Sequence, residues 1–123
     1  MTGFVGNIKE KTEQNNYFRE VLWTGKYTQL VVMSLKAEEE IGMEVHPNVD
    51  QFFRFEEGQG KVIINGEEHM VSDGFAVVVP AGAQHNIINT STVGTLKLYT
   101  LYSPPNHPEG TIHKTRGEAM AAE

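Results

Sequence analysis

Apolar positions along this chain come in short runs broken by Gly, Pro, Asn and Asp, and within most runs they alternate with polar positions. That is the period of a β-strand, whose successive side chains face opposite ways. Residues 1–16 are polar and read as an arm or short leading strand. Phe18 to Trp23 is the first clear strand, Thr24-Gly25-Lys26 a turn, and Tyr27 to Leu35 a strand whose Leu-Val-Val-Met centre implies burial on both faces. Lys36 to Glu40 is an acidic break, read as a solvated loop. Ile41 to His46 is extended again, with Ile41, Met43 and Val45 on one side and Gly42, Glu44 and His46 on the other. After the turn Pro47–Asp50, Gln51 to Glu56 sets Gln51, Phe53 and Phe55 on one face and Arg54 outward.

Glu57 to Gly60 is a tight turn. Val62–Ile64, Asn65-Gly66 and Glu67–Val71 follow, and Asn-Gly between two strands is the strongest short hairpin signal. Ser72-Asp73-Gly74 leads into Phe75–Val79, a continuous apolar run bounded by Gly and Pro that reads as a buried strand. Pro80 and Gly82 force a turn, and His85 opens the next short strand. The last strand, Thr95 to Tyr102, divides into a Leu96/Leu98/Thr100/Tyr102 face directed inward and a Lys97/Tyr99/Leu101 face directed outward by its lysine. Ser103-Pro104-Pro105 ends it. The tail to Glu123 has too few large apolar residues for a core of its own, with room for a short helix through Glu118–Ala122. About nine short strands with frequent turns predict an all-β sandwich or barrel.

The length of 123 residues suits one domain: an arm over 1–16, a barrel over about 17–103 and a tail over 104–123. The absence of cysteine excludes disulfides and thiolate metal sites. No apolar run reaches the roughly 18 residues of a membrane helix, and no basic start with an apolar core marks a signal peptide, so the cytoplasm is the expected compartment. A net charge of −6 without a basic cluster argues against nucleic acid and anionic membranes as partners. No nucleophile elbow, phosphate-binding loop or Cys/His pair is present. Glu56-Glu57 and Glu67-Glu68 are strand neighbours facing opposite ways, so neither makes a convincing acid/base pair.

Gly74, Pro80, Gly82, His85 and Asn89 fill every fixed position of Gly-x5-Pro-x-Gly-x2-His-x3-Asn, and in this the chain resembles the second motif of the cupin superfamily. The resemblance covers about residues 28–102 and implies a double-stranded β-helix, or jelly-roll, barrel. The superfamily's first motif, Gly-x5-His-x-His-x3-4-Glu-x6-Gly, is matched with departures. Counting back from Gly58 places Gln51 at the Glu position, His46 at the second His, Glu44 at the first His and Glu38 at the opening Gly. A rival placement takes His46 and Asn48 as the two His positions but leaves too short a gap before Gln51.

The resemblance therefore implies one divalent transition metal held by Glu44, His46, Gln51 and His85, that is, one carboxylate, two imidazoles and an amide oxygen. Such a set suits a borderline first-row ion and does not distinguish Fe, Mn, Ni, Cu and Zn. His69 is expected on the surface of the hairpin. His107 and His113 are expected on the surface of the tail, the alternative being that they fold back over the barrel mouth. Two readings of function lead, a metal-dependent enzyme on a small metabolite, of isomerase, epimerase, dioxygenase, decarboxylase or lyase type, and a non-catalytic module that binds or senses a small ligand; a storage or structural cupin ranks last, because those resemble two fused barrels and this chain has length for one. No catalytic residue is assigned. Small cupins commonly pair through sheet faces and exchanged leading strands, so a homodimer involving Phe18–Trp23 is expected.

Overall fold

The computed structural model describes residues 3–122. The alternating runs become ten strands in two antiparallel sheets. In chain order the strands are β1 (Arg19–Thr24), β2 (Gln29–Leu35), β3 (Glu44–Val45), β4 (Asp50–Glu57), β5 (Gln59–Ile64), β6 (Glu67–Ser72), β7 (Ala76–Val79), β8 (Gln84–Asn89), β9 (Leu96–Ser103) and β10 (Ile112–His113). The six-stranded sheet runs β10-β1-β2-β9-β4-β7 and the four-stranded sheet β3-β8-β5-β6. Their apolar faces close on one core, in which Met33, Leu35, Phe53, Phe55, Val62, Ile87, Leu96 and Leu98 are fully buried. The result is an all-β jelly-roll barrel. Two short helices, α1 (Ile8–Gln14) and α2 (Arg116–Ala121), flank it. No described helix is long and apolar enough to cross a membrane.

Asn65 and Gly66 both adopt positive φ, 48° and 83°, the signature of the twist-matched two-residue turn between β5 and β6. The Asn65 backbone N–H donates to the Gln84 carbonyl (2.7 Å), and its side chain accepts from the Gln84 N–H (3.0 Å). The hairpin tip is thereby pinned beside the residue that precedes His85.

Three expectations need correction. Residues 8–14 are helical where the polar stretch suggests an arm or leading strand: Asn7 caps the helix by accepting from the Glu10 N–H (3.1 Å), and Lys9 pairs with Glu13 one turn on. Lys97 points to the outer side of β9 as expected, yet it is only 7% exposed. Helix α1 lies over that side, and Lys97 Nζ donates to the Glu13 carbonyl (2.7 Å) and Asn16 Oδ1 (3.1 Å), satisfying a carbonyl of the helix's last turn. The run Phe75–Val79 is not buried throughout: Val79 is, but Phe75 and Val78 are 49% and 64% exposed. Strand β7 is the edge of its sheet, so one side of the alternation meets solvent however apolar the residues are. Strand β1 is covered along its outer edge by β10, which pairs with it at Arg19 and Glu20.

Candidate metal centre

Glu44 and His46 extend from the same side of β3 and its exit, as a two-residue repeat requires. Strand β3 pairs with β8 in the register Glu44↔His85. The Pro80–Gly82 turn makes this juxtaposition firm. The Gly82 N–H donates to the His46 carbonyl (2.9 Å) and the Ala81 N–H to Asp50 Oδ1 (2.8 Å), while Gly82 takes φ 86°, open to glycine at no cost. One turn therefore clamps the backbone of His46 next to the start of the His85 strand. One ligand atom each from Glu44, His46 and His85 falls within 4.8 Å of the others, and the two imidazole centroids are 5.5 Å apart.

The protonation states suit a cation. The His85 Nδ1 stands 3.2 Å from the Ala83 carbonyl, which only accepts, so Nδ1 carries the proton and Nε2 presents its lone pair. Burial lowers the His85 pKa despite that carbonyl and the Glu44 charge, which keeps the ring neutral. Burial raises the Glu44 carboxyl, but contact with His46 and the charges of His46, Arg19 and His85 outweigh it and leave the pKa below the ordinary value. His46 Nε2 is 2.8 Å from Glu44 Oε2, yet this buried nitrogen makes no hydrogen bond of acceptable direction. Two donors that crowd together without bonding each other are arranged to share a third body.

Gln51 lies on the inner face of β4, buried, opposite Tyr102 of β9, whose ring meets His46 edge-on at 5.9 Å. Thr100 Oγ1 donates to the Phe52 carbonyl (2.8 Å) and so must accept from Gln51 Nε2 (3.0 Å). That fixes which way the amide faces. Gln51 Oε1 is left buried without a partner, an unsatisfied acceptor in the barrel interior. The donor set thus fits a divalent ion: three atoms converge, and two buried polar atoms, His46 Nε2 and Gln51 Oε1, lack partners. Asn48, the alternative ligand of the rival placement, is exposed in the turn after His46.

The fifth motif residue, Asn89, is structural. Its buried side chain lies within 3.0–3.1 Å of the Leu35, Lys36 and Gly94 carbonyls and accepts from the Ser91 N–H, tying two loops to β8. His69 is exposed beside Glu67, as expected.

Residues outside the motifs complete the site. A cavity of about 270 Å³ opens on the cluster, lined by Arg19, Glu44, His46, Asn106, His107 and His113 among others. The expected surface position of His107 and His113 is therefore corrected: the tail folds back across the barrel mouth. Gln29 anchors it, with Oε1 accepting from the Asn106 and His107 N–H groups and Nε2 donating to the His107 carbonyl. His107 Nε2 lies 3.2 Å from the Tyr102 hydroxyl and the two rings meet edge-on. Burial, with the Arg19 charge second, lowers the His107 pKa to about 4, and burial raises that of Tyr102. Both are neutral near pH 7. Arg19 carries no motif signal, but it shares the inner face of β1 with Val21, and an arginine in phase with a buried valine marks it.

Comparison with known proteins agrees with this fold. The cupin domain family matches residues 31–102. The chain is 53% identical to protein YrkC of Bacillus subtilis (strain 168) over 126 aligned residues, which cover 98% of this chain and 67% of that protein. It is 42% identical to protein L612 of Acanthamoeba polyphaga mimivirus, covering 94% of this chain and 74% of that protein. The crystal structure of BH2720 from Bacillus halodurans superimposes with a TM-score of 0.93 at 45% identity, covering 96% of this chain and 93% of that one.

Proposed function

The chain belongs to the cupin domain family, and from that premise we propose that it is a divalent-metal-dependent enzyme acting on a small metabolite within the barrel mouth. The observation that carries this reading is the convergence of Glu44, His46 and His85, the first two lining a cavity, with Gln51 Oε1 buried and, among the described residues, unpartnered beside Tyr102. Those four residues would hold the metal. When bound, it supplies Lewis acidity that polarises a carbonyl or hydroxyl oxygen of the substrate.

The chain's own residues divide the remaining work. The Ala83 carbonyl locks the His85 tautomer, and burial keeps the ring uncharged, so its Nε2 stays available. Glu44 supplies the single negative charge of the ligand set. The Phe53 and Tyr102 rings pack against the imidazoles and keep water from the inner side of the cluster. On the cavity side the neutral His107, whose Nε2 lies 3.2 Å from the buried Tyr102 hydroxyl, can exchange a hydrogen bond with a ligand.

Elemental analysis of purified protein together with turnover of a metabolite panel tests the reading. About one equivalent of a first-row divalent ion is expected in the wild type. His46→Ala and His85→Ala should lose most of it, Glu44→Gln should lose much of it, and Asn48→Ala should keep it, with turnover following metal content. Metal retained in all four variants would refute the centre. Metal binding without turnover of any metabolite would leave a ligand-binding module in place of an enzyme.

A further inference from the structure

Arg19 is the unexplained charge of this molecule. It is only 7% exposed, near the barrel mouth, and lines the cavity that opens on Glu44 and His46. Buried guanidinium groups are ordinarily paired, because an unpaired buried charge is costly. Among the described residues, however, no carboxylate lies within 4.0 Å of it. Its side chain is held from two directions: Nη1 lies 3.2 Å from His113 Nδ1, and the guanidinium stands 5.3 Å from the centre of the Phe18 ring. Nε is buried without a hydrogen-bond partner. A guanidinium presents its N–H groups in a planar fork that matches a carboxylate, and the Arg19 head lines the cavity.

The charges around the cavity point the same way. Among the described residues, Glu44 is the one acidic group lining it. A divalent ion at the cluster would more than neutralise that carboxylate, leaving a net positive cavity with Arg19 as its second cation. His107 and His113 add no negative charge. With Glu44 committed to the cluster, the described lining offers Arg19 no anion of its own, and a single guanidinium fork matches one planar carboxylate better than a dianionic phosphate, which would call for more cations. The cavity, about 270 Å³, is the size for a small metabolite.

We propose that Arg19 is the specificity-determining residue of this cavity and that the ligand it selects is a small carboxylic acid, gripped by Arg19 at its carboxylate while its other end faces the Glu44–His46–His85 cluster. This rests on the proposed function in taking the cavity as the ligand site and, for the charge balance, in taking Glu44 as a metal ligand; the contact made by Arg19 is read separately from metal content.

The test is calorimetric titration of wild type, Arg19→Gln and Arg19→Lys with pyruvate, lactate, malate and 2-oxoglutarate, with the neutral amides of the first two, and with inorganic phosphate. Metal content and circular dichroism are recorded for each protein. At least one acid is expected to bind wild type while its amide does not. Arg19→Gln should weaken that acid by about tenfold or more, the scale of a lost charged hydrogen bond, with metal content unchanged. Arg19→Lys should fall between the two, since it keeps the charge and loses the fork; it carries the test if the Gln variant does not fold. The proposal is overturned if no acid binds, if acid and amide bind alike, if phosphate alone binds, or if both variants bind as wild type does. Wild-type protein that lacks metal yet binds an acid through Arg19 would sink the metal centre and leave this assignment standing. Metal-loaded protein indifferent to Arg19 would do the reverse.

Discussion

Gln51 is where substitution separates a metal ligand from a buried packing amide. Its Nε2 is committed to Thr100, and its Oε1 has no partner. If Oε1 completes the metal set, Gln51→Ala should weaken metal binding only modestly, because water can replace a neutral oxygen. Gln51→Glu should tighten it by adding an anion, while lowering the stability of the metal-free protein through a buried, unpaired carboxylate. Titration of the metal into both variants, with melting curves of the metal-free forms, checks this. Unchanged affinity in Gln51→Glu with a lowered melting temperature would make the residue a packing amide only. At this scale the sequence was informative where the chemistry is local. Period two put Glu44 and His46 on one side, and the turn residues fixed His85. Arg19 and His107 were not legible as site residues. A charged residue at a strand start and a histidine in a polar tail normally face water, and what buries them is the tail folding back from more than eighty residues away in the one case and onto Gln29 in the other.

Strands were legible wherever alternation or turn chemistry spoke, as in the Asn65-Gly66 hairpin, and misread where another element decided exposure. The continuous apolar run of β7 says nothing about its place at a sheet edge, and the lysine of β9 says nothing about the helix that covers it. The passage from β4 to β5, which carries the chain from one sheet to the other, depends on Gly58. This residue has φ 110°, donates its N–H to Asp73 Oδ1 (2.9 Å), and sits so close to β9 that an added Cβ would lie 2.5 Å from the Thr95 carbonyl. Gly74 has a comparable φ, 87°, but open space where its Cβ would stand. Gly74→Ala should therefore cost about 1–2 kcal/mol, the backbone penalty alone. Gly58→Ala should cost that plus an overpacking penalty of about 1–3 kcal/mol. Urea unfolding of both variants measures the difference, and equal losses would show that β9 yields to the methyl group freely.

At the scale of the whole molecule, the jelly roll was legible because short strands and a five-residue motif agree on it, and the closed mouth was not, because it is made by the tail. The proposed centre also joins the two sheets: Glu44 and His85 belong to the four-stranded sheet, and Gln51 to the six-stranded one. In the metal-free protein these sheets meet there through a neutral His85, a lone Glu44 charge and unpartnered polar atoms, which is a weak seam beside the packed core of Phe53, Phe55, Leu96 and Leu98. An ion bound only by the folded chain stabilises it by mass action, about 2.7 kcal/mol at a free concentration one hundred times Kd. For a domain of this size that corresponds to a rise in Tm on the order of 10 °C. Wild-type protein stripped with a chelator should melt that much lower than protein in excess divalent metal, and His85→Ala should melt at one temperature in both conditions. A shift of the same size in His85→Ala would place the stabilising ion elsewhere on the surface. No shift in the wild type would mean that the seam between the sheets holds no metal.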